Sequence, residues 1–136
     1  MNDEKTIKVL YVAPMQPPWP IEIGADLKSM QDMIGGEIEE LMPFGDEVAL
    51  ICNRDGSRLG LHLNRAIYRK NGVVMEIIAG SFILCSAPFE SEEFESLTDE
   101  QQKKYNEMFK HPECFIPTQN GIKVLPVVLT NDEKQQ

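Results

Sequence analysis

The sequence predicts an α+β fold, with one mixed or mainly antiparallel sheet and two short helices packed on one side of it. The chain has 136 residues, a length that fits one domain. Its segments follow the order strand, helix, several strands, helix and possible strand, without the regular βαβ alternation of a parallel sheet. We therefore expect a single domain over residues 1–136, with an ordered core at 5–128 and short frayed ends.

The N-terminal part predicts a strand, a connection and a helix. Residues 7–12 (IKVLYV) are apolar and β-branched, which indicates a central strand. Residues 13–20 carry four prolines, and because proline fixes φ and removes a backbone donor, an extended connection should follow. Residues 25–34 place apolar side chains at helical spacing. Gly35 and Gly36 should end this helix, one of them at positive φ, because a left-handed C-cap favours glycine.

Two strands are predicted in the middle of the chain. Residues 37–42 (EIEELM) alternate acidic and apolar side chains, which indicates a half-buried strand. Residues 47–52 (EVALIC) indicate a more buried strand. Turn residues follow it, so the chain is expected to return through 58–63 (RLGLHL) as a hairpin.

Glycines divide the next apolar segment. Asn71-Gly72 is a tight-turn signal. The Val- and Ile-rich residues 73–86 that follow should form one or two strands bent at Gly80.

The C-terminal third combines an acidic loop with a second helix. Residues 86–102 contain six acids and no base, so the first part of this segment should be a solvated loop. Thr98 then begins a helix, with Gln101 at the spacing of a capping box. In the last apolar segment, 122–129, Pro126 fits an edge strand or an irregular tail.

Charge and cysteine content limit the function classes. The net charge of −9 argues against unspecific binding to nucleic acid or anionic membranes and permits a basic partner. Cys52 and Cys85 each end an apolar run, which is typical of small buried side chains, and with Cys114 they have no zinc-ligand spacing. Free thiols suit a reducing compartment, and the N-terminus has no apolar signal region. We expect a cytoplasmic protein without a membrane span, a metal or another cofactor.

The strongest indication of a binding site is the basic stretch, residues 53–70 (NRDGSRLGLHLNRAIYRK), which holds five of the thirteen basic residues. Arg54 and Arg58 flank a turn, and Asn64 and Arg65 lie between two apolar segments. If they form a site, the arginines should converge on one concave surface, where their planar forks suit a carboxylate or phosphate. The alternative is that the arginines pair with the chain's many acids on a solvated surface.

Trp19 is the remaining candidate for a binding residue. It lies within the proline-rich connection, where it either caps the edge of the core or forms an exposed anchor for a partner. Catalytic motifs are not found: His62 and His111 are the only histidines, and neither GxSxG nor a phosphate-binding loop occurs. The sequence therefore indicates a protein that is not an enzyme.

Several short segments share the pattern of a known family, namely Gly35-Gly36, the ICN of 51–53, the LNRA of 63–66 and the IIAG of 77–80. Together with IKVLYVAPMQPP and TDEQQKKYNEMFKHPE, they resemble an uncharacterised family, domain of unknown function 3846, which is common in phages, plasmids and integrative elements of gut-type bacteria. The resemblance spans most of residues 6–115. His62 stands where such proteins often have proline, which predicts a less rigid loop.

The resemblance implies no established activity and no catalytic residues, but it implies an origin in mobile elements, whose small proteins often control replication or counter host defence. Our first hypothesis is a non-enzymatic accessory protein that binds and occludes a protein partner, such as a host-defence nuclease of the CRISPR type. It would not contact nucleic acid or membrane directly. The second is a small-ligand sensor that binds a nucleotide or phosphorylated metabolite through Arg54, Arg58, Asn64 and Arg65.

Overall fold

Nine strands and two helices make up the part of the chain that the computed structural model describes, residues 5–128. The pairings among these strands are antiparallel, so the fold is a single α+β domain, mainly sheet, as predicted. The strands are β1 Thr6–Val12, β2 Trp19–Gly24, β3 Ile38–Leu41, β4 Val48–Asn53, β5 Leu63–Tyr68, β6 Val74–Ala79, β7 Phe82–Ser86, β8 Glu113–Thr118 and β9 Gly121–Pro126, and the helices are α1 Leu27–Ile34 and α2 Asp99–Met108.

The central sheet has five strands in the order β2-β1-β7-β4-β3. Every residue of β4 and β7 is buried, which agrees with their continuous apolar sequences. The edge strand β2 was not predicted, because its first residues, Trp19 and Pro20, belong to the proline-rich connection. Proline is tolerated there because an edge strand needs hydrogen-bond partners on one side only.

Both faces of this sheet are covered, so the prediction that the helices share one side is wrong. On one face, α1 packs through Met30 and Ile34. On the other face, α2 packs through Tyr105 and Phe109, beside the β5–β6 hairpin. Side chains alternate along a strand, and β4 and β7, which are apolar at every position but the last, therefore need cover on both sides.

The expected return of the chain through residues 58–63 as a hairpin with β4 is also wrong. Residues 54–60 form turns, and β5 pairs with β6 in a separate sheet. No edge of β4 is left for β5, because β3 and β7 occupy both. The turn between β5 and β6 does use Asn71-Gly72, with Gly72 at a φ of 87°. Gly80, at a φ of 91°, separates β6 from β7 as predicted.

The helix termini agree with the sequence predictions. Asp26 Oδ2 accepts the N–H of Ser29 at 3.0 Å and caps the start of α1. Gly35 ends α1 in the left-handed conformation, with a φ of 89°, which confirms the glycine C-cap. Thr98 and Gln101 form both hydrogen bonds of the capping box at the start of α2.

After α2 the chain forms a second hairpin, β8–β9. The strand β9 ends at Pro126, which confirms the edge-strand interpretation, whereas β8 was not predicted. Neither α1 nor α2 is long and apolar enough to cross a bilayer.

Candidate functional site

The basic stretch does not form one surface, so its arginines do not converge as a functional site would require. Arg65 is 1% exposed and Asn64 is fully buried. Arg54 and Arg58 are exposed, and Arg58 lies 3.4 Å from the carboxylate of Asp55. Two of the four residues therefore belong to the interior, and a third is partnered on the solvated surface as the alternative interpretation requires.

Arg65 connects distant parts of the chain. Its Nη2 donates to the carbonyl oxygen of Phe109 at 2.8 Å and to that of Gln16 at 2.6 Å. Its Nη1 donates to Asn64 Oδ1 at 2.8 Å. Burial lowers the pKa of Arg65, against the opposing attraction of Glu113. The guanidinium therefore uses its donors inside the protein and does not offer them to a ligand.

Asn64 has a similar structural role. Its Nδ2 donates to the carbonyl oxygens of Val12 and Gly80, both at 2.9 Å. The side chain thus joins the end of β1 to the bend between β6 and β7. A buried amide that satisfies backbone carbonyls stabilises the fold, because unpaired carbonyls in the interior are costly.

Trp19 lies on the surface. It is 65% exposed, and it pairs with Tyr11 at the start of the edge strand β2. It therefore does not cap the core. Its exposed position agrees with the interpretation as an anchor for a partner.

A groove of about 410 Å³ opens at the other edge of the sheet, between β3 and the loop 87–94. We call it the acidic groove. Its lining combines carboxylates from both segments with apolar side chains: Glu40, Met42, Ala87, Pro88, Phe89, Ser91, Glu92, Glu93 and Phe94.

Hydrogen bonds hold the loop of the acidic groove in place. The backbone of Glu47 accepts the N–H of Ala87 at 2.8 Å, and Glu47 Oε1 accepts the N–H of Phe89 at 2.8 Å. Further along, Ser91 Oγ accepts the N–H of Glu93 at 3.0 Å. The wall formed by residues 87–94 is therefore anchored to the start of β4 and does not depend on side-chain packing alone.

The groove presents both unneutralised charge and exposed apolar surface. Glu93 pairs with Lys5 at 3.2 Å, whereas Glu40 and Glu92 have no cation within ion-pair distance in residues 5–128. Phe89 is 73% exposed and Met42 is 39% exposed. An exposed aromatic ring beside unpaired carboxylates is typical of a surface that meets a partner.

The sequence predicted the acidic loop but not the groove. The available signal was APFESEEF, in which aromatic rings alternate with acids and no base occurs. The sequence could not show that Glu40 lines the same groove as this loop. The strand β3 and the loop are about fifty residues apart in sequence, and the strand order β7-β4-β3 brings them to one groove.

A second concave site of about 400 Å³ lies on the opposite side of the β3–β4 turn, between that turn, β5 and α2. We call it the Phe44 cavity. Most of its wall is apolar, and three charged side chains join it. The lining residues are Pro43, Phe44, Gly45, Ala66, Ile67, Tyr68, Lys70, Lys104, Met108, Phe109 and Glu113.

Burial raises the pKa of titratable groups in and beside the Phe44 cavity. Glu113 Oε1 accepts the N–H of Ala66 at 2.7 Å, and burial raises the pKa of Glu113. Burial also raises the pKa of Tyr68. Beside the cavity, Tyr105 donates to Asp46 Oδ2 at 2.7 Å, and burial together with this hydrogen bond raises the pKa of Tyr105.

Groups of metal-ligating side chains do not occur in the described part of the chain: no three of its His, Cys, Asp and Glu residues lie together in a suitable arrangement. The buried thiols of Cys52 and Cys85 are separated from solvent, and burial raises the pKa of each to about 12. Both agree with the prediction of small buried side chains and are poor nucleophiles in the native state.

An antiparallel sheet covered on both faces, with concave sites beside its β3 edge, defines a small α+β domain. The chain belongs to the family described as Domain of unknown function (DUF3846), whose model matches residues 7–110. The match runs from β1 to the end of α2 and leaves out the β8–β9 hairpin. No curated protein and no solved structure matches the chain.

Proposed function

We propose that this chain is a non-enzymatic accessory protein of a phage or mobile element that binds and occludes a basic segment of a protein partner. The observation that carries the proposal is the acidic groove, whose lining joins the exposed ring of Phe89 to the carboxylates of Glu40 and Glu92. Neither carboxylate has an ion-pair partner within residues 5–128. Its place of action is the bacterial cytoplasm.

Charge supports a basic occupant. The protein has a net charge of −9, and the groove collects several carboxylates on one rim. Like charges held close together repel one another, and a lysine- or arginine-bearing segment relieves that repulsion when it binds. Phe89 adds an apolar contact, which an exposed carboxylate cluster alone does not supply.

The neighbouring sheet edge supports an extended occupant. Within residues 5–128, β3 pairs only with β4, so its outer backbone groups are open to a further strand. A partner segment can add to such an edge through main-chain hydrogen bonds while its side chains enter the adjoining groove. Glu40 belongs to both features, because it lies on β3 and lines the groove.

The choice of a host-defence nuclease as partner rests on two considerations. CRISPR effectors hold their nucleic acids in positively charged channels, to which an acidic surface is complementary. The family resemblance to proteins of phages and plasmids points to the same setting. Replication proteins with basic channels are the competing partners within this proposal.

Capture from bacterial lysate with matched baits tests the proposal. We expect one protein to be retained by the parent and by Ile122→Ala, which removes an exposed apolar side chain on β9 that lines no part of the acidic groove. The same protein should be lost with Phe89→Ala and with the double variant Glu40→Gln/Glu92→Gln. Mass spectrometry of the four eluates measures this pattern, and each bait is first checked for an unchanged melting temperature.

The captured protein is then purified and titrated directly. Its affinity should fall as salt rises, because screening weakens contacts between exposed charges. If it is a nuclease, a stoichiometric amount of the parent should block cleavage of its nucleic acid, and Phe89→Ala should not. A lysate in which no protein distinguishes Phe89→Ala from Ile122→Ala contradicts the proposal.

Small-ligand binding is the second candidate function. The version that places a nucleotide on Arg54, Arg58, Asn64 and Arg65 loses support, because Asn64 and Arg65 are buried and fully engaged. The Phe44 cavity favours a ligand of different chemistry.

A further inference from the structure

We infer that the Phe44 cavity is a binding site for a small amphipathic anion, a molecule with a flat apolar body and one carboxylate or similar group. This site shares no lining residue with the acidic groove. Binding of a ligand at this site therefore does not depend on binding of the proposed protein partner. Failure of either proposal leaves the other to be tested by its own experiment.

The size and walls of the cavity suit a compact apolar body. Its volume of about 400 Å³ falls within the range of small-molecule sites. Phe44 packs against Tyr105 with ring centroids 4.7 Å apart and against Phe109 at 6.2 Å. Because these rings support one another, one aromatic wall is already formed before a ligand enters.

The exposed part of the wall is adaptable. Met108 is 49% exposed although it follows the buried Tyr105 on α2, and Tyr68 is 45% exposed on the facing strand β5. Methionine side chains adjust readily to the shape of an apolar ligand. Met108 lines the cavity, which explains why half of its side chain remains accessible.

Two lysines in the lining of the cavity favour a ligand that carries a negative charge. Lys70 has no carboxylate within ion-pair distance in the part of the chain that the structure describes. Lys104 pairs with Asp46 at 3.3 Å, but its side chain is 54% exposed and retains donors for a second anion. Glu113 is already engaged by the N–H of Ala66, and its charge disfavours a ligand anion beside it. The ligand's anionic group is thus assigned to the lysines and its apolar body to the aromatic wall.

Nuclear magnetic resonance of the full chain with ¹³C-labelled methionine methyl groups tests this site. The probe is 2-naphthoate, and Met108→Leu assigns the reporter signal. We expect the Met108 methyl signal to shift in a saturable way. The Met30 signal should stay in place, because Met30 is 1% exposed on the opposite face of the sheet.

Three control measurements examine the role of charge in binding. The neutral analogue 2-naphthylmethanol should bind about threefold to fivefold more weakly than 2-naphthoate, as expected for contacts with exposed lysines. Lys70→Gln should weaken 2-naphthoate by a similar factor and leave the alcohol unchanged. Lys103→Gln is the matched control, because Lys103 neighbours Lys104 on α2 but lines a different depression.

Four outcomes overturn the inference. The first is a Met108 signal that does not respond to 2-naphthoate. The second is equal affinity for the acid and the alcohol, and the third is an equal effect of Lys70→Gln and Lys103→Gln. The fourth is a Met108 signal that moves with protein concentration when no probe is present, which would assign the cavity to a second copy of the chain.

Discussion

The Arg65 guanidinium holds the C-terminal end of α2, with Nη2 at 2.8 Å from the carbonyl oxygen of Phe109. Phe109 is the C-cap residue of that helix, where backbone carbonyls lack intrahelical partners. A cation there also interacts favourably with the helix dipole. Arg65 therefore fastens α2 to the β5–β6 hairpin, and through Gln16 it fastens the proline-rich loop as well.

Replacement of Arg65 should destabilise the fold. Arg65→Met leaves the carbonyls of Phe109 and Gln16 without their donor, and we expect a loss of about 2–4 kcal/mol in the free energy of unfolding. Arg54→Met, at an exposed position of the same stretch, should change stability by less than about 0.5 kcal/mol. Urea denaturation measures both. Equal stability of the two variants would show that the guanidinium contacts are dispensable.

Glu113 should make stability depend on pH. Burial raises its pKa in the folded state above the ordinary value of 4.5, so its favourable contribution is complete below that value and is lost as pH rises through the folded pKa. Glu113→Gln keeps an acceptor for Ala66 and does not titrate. The variant should therefore gain stability relative to the parent as pH rises above about 4.5.

Glu107 provides a control for that experiment, because its contribution to stability should change with pH in the opposite direction. Its hydrogen bond with Lys110 lowers its pKa, so its contribution is present above the ordinary value and is lost as pH falls. Glu107→Gln should lose stability relative to the parent as pH rises. Urea unfolding of the parent and both variants across the pH series measures the two slopes, and slopes of the same sign would contradict the assignment.

The three cysteines should differ in reactivity. Cys114 is exposed, whereas Cys52 and Cys85 are buried, with their pKa raised to about 12. Because the thiolate is the reactive form, iodoacetamide should label Cys114 alone in the native protein and all three cysteines in denaturant. Peptide mass spectrometry gives the extent of labelling at each position. Native labelling of Cys52 at the rate of Cys114 would be incompatible with a buried β4.

A side chain at position 35 should lower the stability of the protein through its effect on backbone conformation alone. Its φ is 89°, and a Cβ at this position would meet no atom within 4 Å. Gly35→Ala should therefore cost about 1 kcal/mol, the penalty of the left-handed conformation, and Gly35→Asn should cost less because asparagine adopts it more readily. Thermal unfolding of the two variants gives the comparison. An alanine variant as stable as the parent would refute the C-cap assignment.

The sequence by itself determined the local features of this protein. The helix boundaries at Gly35 and Thr98, the turn at Asn71-Gly72 and the bend at Gly80 were all predicted and all occur. Each depends on the backbone preference of one or two residues or on hydrogen bonds a few positions apart. Residues 47–52 were likewise predicted as a more buried strand, and every residue of β4 is buried.

Only the tertiary structure decided how these elements meet. The residues before Leu63 could return beside β4 as far as turn chemistry is concerned, but β3 and β7 occupy both its edges. Arg65, which was expected at the surface, is buried because distant carbonyls satisfy its donors. The placement of Glu40 and Phe89 in one groove depends on strand order in the same way. Such contacts join segments far apart in sequence, and their energies depend on which surfaces are left to pair once the sheet has formed.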